Sequence, residues 1–168
     1  MQNYNPSQIP NVTIRFAKEE DTALILRFIE GLADYENMSD DVVATEETLR
    51  DSLFRRKAAE VVIAEHNGEP AGFALFFHNF STFLGKPGIY LEDLFVFPQA
   101  RGLGLGKALL SFLAKLAVER DCGRLEWSCL DWNKPSIAFY KSMGAKPMDE
   151  WTVYREDKQS LADLADQF

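Results

Sequence analysis

Apolar residues change their spacing several times along the chain, and each change marks an element. Val12 to Phe16 is a short run with Val, Thr and Ile that reads as a first strand. From Lys18 to Tyr35 the period switches. Ile25, Phe28, Ile29 and Leu32 fall at i, i+3, i+4 and i+7, and Glu19, Glu20 and Asp21 put carboxylates in the first helical turn, where the helix dipole favours them. Asn37 to Asp41 is a polar break. Thr45, with Thr48 three positions on and Glu46 and Glu47 beside it, opens a shorter helix running to about Arg55. Glu60 to His66 and Ala71 to Phe80 are apolar runs separated by Asn67-Gly68-Glu69-Pro70, and an Asn-Gly pair between such runs predicts a hairpin. Ile89 to Phe97 reads as a further strand, ended by Pro98, and Leu103 to Asp121 as a helix with Leu109, Phe112, Leu113, Leu116 and Ala117 inward. Arg124 to Leu130 reads as a strand and Pro135 to Met143 as a short helix with proline at an early position. Trp151 to Arg155 reads as a last strand, and Ser160 to Phe168 as an amphipathic tail helix.

Hairpin links at the front and helical crossovers at the back predict an α/β domain with a mixed sheet. The length of 168 residues suits one core. Met1 to Asn11 is polar with two prolines and reads as a flexible leader, leaving residues 12–168 as a single domain. The chain is 46% hydrophobic and 26% charged, which excludes a disordered or fibrous class. No apolar run approaches the roughly 20 residues of a membrane span and no signal-peptide pattern opens the chain, so a cytoplasmic protein without a membrane partner is expected. A net charge of -8 without a basic run argues against nucleic acid and favours the approach of a cationic small molecule. Cys122, Cys129, His66 and His78 lack metal-ligand spacing, so no metal is expected.

The most specific motif is Gln99-Ala100-Arg101-Gly102-Leu103-Gly104-Leu105-Gly106-Lys107, between a strand and a long helix. Glycines let the backbone approach a ligand closely, and the first N–H groups of a helix have no internal partner. The dipole and Arg101 add positive potential, so the turn suits phosphate oxygens. Three alternate glycines lower helix propensity, which a purely structural turn seldom tolerates. Two nucleotide motifs fail here. A dinucleotide fingerprint needs its third glycine one residue later, and a P-loop needs Ser or Thr where Ala108 follows Lys107.

Glu92 and Asp93 sit inside an otherwise apolar strand. Side chains alternate along a strand, so one carboxylate is expected on each face. Burying an unpaired carboxylate costs several kcal/mol, so either one faces solvent while the other pairs with a buried Arg, or at least one of them has a functional task. An alkylammonium ion has a pKa of about 10.4, so at neutral pH a nearby carboxylate can both bind it and take its proton. Tyr140, on the short helix after Asn133-Lys134-Pro135-Ser136, is by itself equally readable as a core aromatic.

Three segments together carry a family resemblance: Tyr90-Leu91-Glu92-Asp93, the glycine turn with Arg101-x-x-Gly104-x-Gly106, and Asp131-Trp132-Asn133-Lys134-Pro135-Ser136 running into Phe139-Tyr140-Lys141. From about Ile14 to Tyr154 the chain resembles GNAT acetyltransferases, and within them the spermidine/spermine (diamine) and thialysine N-acetyltransferase branch. The resemblance implies a mixed, splayed sheet flanked by helices, with a bulge before the glycine turn. It implies acetyl-CoA as co-substrate, held by the backbone of Leu94, Phe95 and Val96, by Arg101, Gly102, Leu103, Gly104, Leu105, Gly106 and Lys107, and by Asn133, Ser136 and Tyr140. It implies Glu92 as water-mediated base, Tyr140 as general acid to the departing thiolate, and a homodimer. For the amine acceptor it implies Tyr35, Glu36, Glu92, Asp93 and Glu150, with Trp132 and Trp151 able to offer aromatic faces to a cation. Ser81 and Phe83 depart from the polyamine pattern, which favours a shorter amine or an amino acid side chain.

The reaction expected is direct attack in a ternary complex, since Cys122 and Cys129 lie outside the matching catalytic segments. A peptide N-terminus, a lysine side chain or an antibiotic amine is the alternative acceptor. A non-catalytic CoA sensor is the alternative class; it has no need of Tyr140 with Glu92 and Asp93. A nicotinamide oxidoreductase fails on glycine spacing.

Overall fold

A computed structural model describes residues 5–168, and the chain divides into two compact units, the first ending at Ser128 and the second spanning Cys129–Phe168. Among the described residues the first unit holds six strands in sequential order: β1 (Asn5–Pro6), β2 (Val12–Phe16), β3 (Glu60–His66), β4 (Glu69–Ser81), β5 (Lys86–Val96) and β6 (Leu125–Trp127). Neighbours are antiparallel from β1 to β5, and β5 pairs with β6 in parallel. The stretch expected as a leader thus contributes a strand, because Asn5 and Pro6 pair with Ile14 and Thr13. At the other end β6 spans only Leu125–Trp127, shorter than the expected Arg124 to Leu130.

Local chemistry explains most boundaries. Asn67 and Gly68 both take positive φ, 53° and 81°, which a two-residue hairpin turn requires. The first helix, α1 (Thr22–Glu36), begins four residues later than expected because Lys18 is extended and Glu19–Asp21 form a 3-10 turn. Asn37 ends it in the left-handed region at φ 59°. In α2 (Glu46–Arg50), Thr45 Oγ1 accepts from the Thr48 N–H while Thr48 Oγ1 accepts from the Thr45 N–H. A π-helical turn over Asp51–Arg55 continues it. The third helix, α3 (Leu105–Glu119), starts after Gly102 and Gly104, whose φ values of 80° and 84° exclude them from it.

One face of the sheet packs against α1 and the α2 segment through Ile25, Phe28, Leu53, Val61, Ile63, Phe73 and Phe95. Phe28 is stacked between Phe73 at 5.0 Å and Phe97 at 4.5 Å, and burying such a ring contributes about 2–3 kcal/mol. The other face receives α3: Leu109 and Leu113 are fully buried, Gly72 lies against Leu109, and Phe16 meets Phe112 edge to face at 6.0 Å. Arg15 anchors a partly buried charge network, donating to both Glu65 and Asp21 at 2.7 Å. That pairing holds the Asp21 carboxyl below its ordinary range.

Two irregularities of β5 shape the site. Asp93 pairs with Leu75 and Leu91 with Phe76, so Glu92 is an extra residue, a β-bulge. The parallel ladder with β6 runs from Ile89 to Leu91 and stops just there. From Glu92 to Val96, β5 keeps β4 on one side while no strand among the described residues pairs with its other edge.

In the second unit, α4 (Lys134–Ser142) is capped by Asn133, whose side-chain oxygen accepts from the Ser136 N–H at 3.3 Å, with Pro135 in its first turn. The last helix, α5 (Lys158–Ala165), carries Leu161 and Leu164. The strand expected over Trp151 to Arg155 is absent; among the described residues no strand pairs with it. Its apolar residues, Trp151, Val153 and Tyr154, break the alternation that a one-sided strand needs, and a strand without a neighbour leaves its backbone groups to water.

Candidate active site

The bulge decides where the carboxylates stand. Phe73 and Leu75 belong to the α1 side of the sheet, so their partners Phe95 and Asp93 do too. Tyr90 pairs with Phe77 on that same side, and alternation from Tyr90 puts Glu92 there as well. The expectation of one carboxylate on each face is therefore corrected: the extra residue resets the parity, and Glu92 and Asp93 share a face.

Glu36, at the last position of α1, completes an acidic group. Burial pushes the Asp93 carboxyl up to about 6, helped by the charges of Glu92 and Glu36. Burial raises Glu36 as well. Glu92 is exposed at the bulge. Three like charges, with no cation paired to Asp93 among the described residues, form an unfavourable arrangement that a bound cation would relieve.

The glycine turn follows β5 directly. Gly104 is the N-cap of α3 and supplies no side-chain hydrogen bond, so the first N–H groups of α3 have no side-chain cap. The space over this turn fits a phosphate-bearing group. A Cβ built at Gly102 meets nothing within 4 Å, and one at Gly106 meets only Leu94 Cδ2 at 3.9 Å. Beneath it Leu105 is fully buried and serves as a core anchor, so its backbone alone faces a ligand. Phe95 is likewise a core residue by its side chain. Leu103 and Lys107 are exposed on the turn. The fit supports acetyl-CoA: diphosphate oxygens at the helix start, and an amide-bearing arm along the unpaired edge of β5 from Leu94 to Val96.

Two relationships here have no signature in the sequence. Arg101 Nε donates to the Val96 carbonyl at 3.1 Å, and its guanidinium lies over the rings of Tyr35 at 4.9 Å and Phe95 at 5.5 Å. Ile9 reaches the turn from the N-terminal segment: a Cβ at Gly104 would lie 2.8 Å from Ile9 Cδ1. Ser81, read as a specificity marker, has a structural task. It is buried and its Oγ accepts from the Leu84 N–H at 3.3 Å, closing the turn after β4, while Phe83 is fully exposed.

Residues 131–136, Tyr140, Glu150 and Trp151 belong to the second unit. There Asn133 is buried as the α4 cap, Ser136 is its capped N–H, and Tyr140 stands on α4 with its ring 5.3 Å from that of Phe139. Trp132, Glu150 and Trp151 are exposed. Among the described residues no cluster of His, Cys, Asp and Glu could hold a metal ion, and no helix is long and apolar enough to cross a membrane.

Comparison with known proteins identifies the family and the fold. Residues 26–145 match the model of the acetyltransferase (GNAT) family. A thialysine N-epsilon-acetyltransferase of Bos taurus is 38% identical, the match covering 92% of this chain and 97% of that protein. An L-ornithine N5-acetyltransferase of Arabidopsis thaliana is 32% identical, covering 84% of this chain and 82% of that protein. Among solved structures, an integron cassette protein from V. cholerae superimposes with a TM-score of 0.77 at 31% identity, over 92% of this chain and 98% of that one.

Proposed function

Because this chain belongs to the acetyltransferase (GNAT) family and is an amine N-acetyltransferase, we propose that it acetylates the terminal amine of a small cationic acceptor such as thialysine, lysine, ornithine or a diamine. The observation that carries this reading is the acidic group of Glu36, Glu92 and Asp93 on one face of the sheet, with the Asp93 carboxyl raised to about 6. Such a group favours an ammonium ion and disfavours an anion. The relatives' acceptors, thialysine and L-ornithine by their names, both carry a side-chain amine.

In this reading Asp93 and Glu36 hold the ammonium ion. Glu92, exposed at the bulge, takes its proton through a water, giving the neutral amine. Acetyl-CoA supplies an acetyl thioester, which the amine attacks directly in a ternary complex. The N-terminal backbone of α3, Arg101 and the free edge of β5 bind and orient the co-substrate. Tyr140, by family resemblance, returns a proton to the departing thiolate. No carboxylate stands at Ser81 or Phe83 to hold the far end of a long polycation, which favours a short acceptor in this proposal.

The test follows free thiol release from acetyl-CoA with thialysine, lysine, ornithine, putrescine, spermidine and spermine, and with no acceptor as control. Turnover on thialysine, lysine or ornithine above the polyamines is the expected result. Strong turnover on spermidine and spermine alone would overturn the short-acceptor reading. Silence across the panel would send the search to peptide amines.

A further inference from the structure

We propose that Tyr35 is a positioning residue for the co-substrate side of the site, acting through Arg101, and not a contact of the acceptor amine. The inference rests on the reading of the glycine turn as the acetyl-CoA site.

Arg101 lies outside α3, on an exposed turn, where a long side chain would ordinarily sample many rotamers. Three contacts hold it in one. Its Nε donates to the Val96 carbonyl at 3.1 Å, and its guanidinium lies 4.9 Å from the Tyr35 ring centre and 5.5 Å from that of Phe95. A guanidinium held over aromatic rings presents its remaining N–H donors, which suit phosphate oxygens. Among the described residues Arg101 forms no ion pair, so no carboxylate competes for those donors.

The two rings differ in kind. Phe95 is buried and locked against α1, where a Cβ at Gly31 would lie 2.8 Å from its Cε1, so it is a fixed floor. Tyr35 is 37% exposed on the last turn of α1 and is the removable half of the clamp. Consecutive residues at the end of α1 then divide the work. Glu36 acts on Asp93 and the acceptor, and Tyr35 acts on Arg101 and the co-substrate.

The experiment measures CoA binding by titration calorimetry for the wild type, Tyr35→Ala, Tyr35→Phe, Arg101→Ala and the Tyr35→Ala/Arg101→Ala double variant, with thermal melts as folding controls. Tyr35→Ala is expected to weaken CoA about 3- to 10-fold, Tyr35→Phe by less than about twofold, because the ring and not the hydroxyl holds the cation. In the Arg101→Ala background the Tyr35→Ala effect should vanish, and the acceptor KM of Tyr35→Ala should stay at the wild-type value. Unchanged CoA binding in Tyr35→Ala, or an equal loss with and without Arg101, would overturn the proposal. Failure of the wild type to bind CoA would instead bring down the acetyl-CoA reading of the turn, and this proposal with it.

Discussion

Glu92 and Asp93 are neighbours in sequence and stand on the same face of the sheet, because Glu92 is the extra residue of a bulge opposite Leu75 and Phe76. An alternating strand would have parted them. Together they give one face of β5 two carboxylates, one buried and raised and one exposed, and most of the predictions follow from that difference.

Asp93→Asn should change how stability depends on pH. The folded carboxyl is raised to about 6 above its ordinary 3.8, so between those values the folded state holds a proton that the unfolded chain has released. Stability in the wild type therefore falls as pH rises through that window, by about 3 kcal/mol, and the variant lacks this loss. Denaturant melts at pH 4 and pH 7 check it: the stability of the variant relative to the wild type should increase with pH. The acceptor KM should also rise as pH falls below about 6 in the wild type, as Asp93 loses its charge.

Glu92→Gln should lower turnover at neutral pH by roughly a hundredfold or more while leaving CoA affinity unchanged. Glutamine keeps the shape of an exposed bulge residue, so the fold should persist. Removing the charge should also lower the Asp93 pKa, since Glu92 is one of its raising causes, and carboxyl titration by NMR reads that directly. Full activity in this variant would remove the base role.

Gly104→Ala and Gly106→Ala separate folding from binding. At Gly104 the φ of 84° and the approach of Ile9 Cδ1 make alanine strained, costing about 1–2 kcal/mol and lowering Tm by several degrees. At Gly106 the backbone is helical and a Cβ meets only Leu94 Cδ2 at 3.9 Å, so alanine should hold or raise Tm. Both should weaken CoA if the turn cradles it; normal CoA affinity in Gly106→Ala would free that position from the site.

Tyr140→Phe should lower kcat by about tenfold or more with little change in the KM for acetyl-CoA. An unchanged kcat would make Tyr140 a structural aromatic of α4. A solvent with a higher proton-donor concentration should partly restore the variant if proton delivery to sulfur is what it lost.

Local chemistry was readable without a structure wherever a residue acts on its own neighbours. The Asn67-Gly68 turn, the Thr45–Thr48 cap, the helical face from Ile25 to Leu32 and the glycine turn before α3 all depend on contacts within a few residues. The family resemblance was readable for the same reason, because its motifs are contiguous. Trp151 to Arg155 misled, because its β-prone composition says nothing about whether a partner strand exists.

The sequence by itself determined the order of elements, the chemistry of the turn and which carboxylates are candidates. Only the tertiary structure decided that Glu92 shares a face with Asp93, that Glu36 adds its charge to theirs, and that Arg101 rests on Tyr35. Each of these depends on register between strands or on packing between a helix and a loop far apart in the chain. A single extra residue in a strand changes the parity of every side chain beyond it, and nothing in the spacing of β5 alone says where its partner skips.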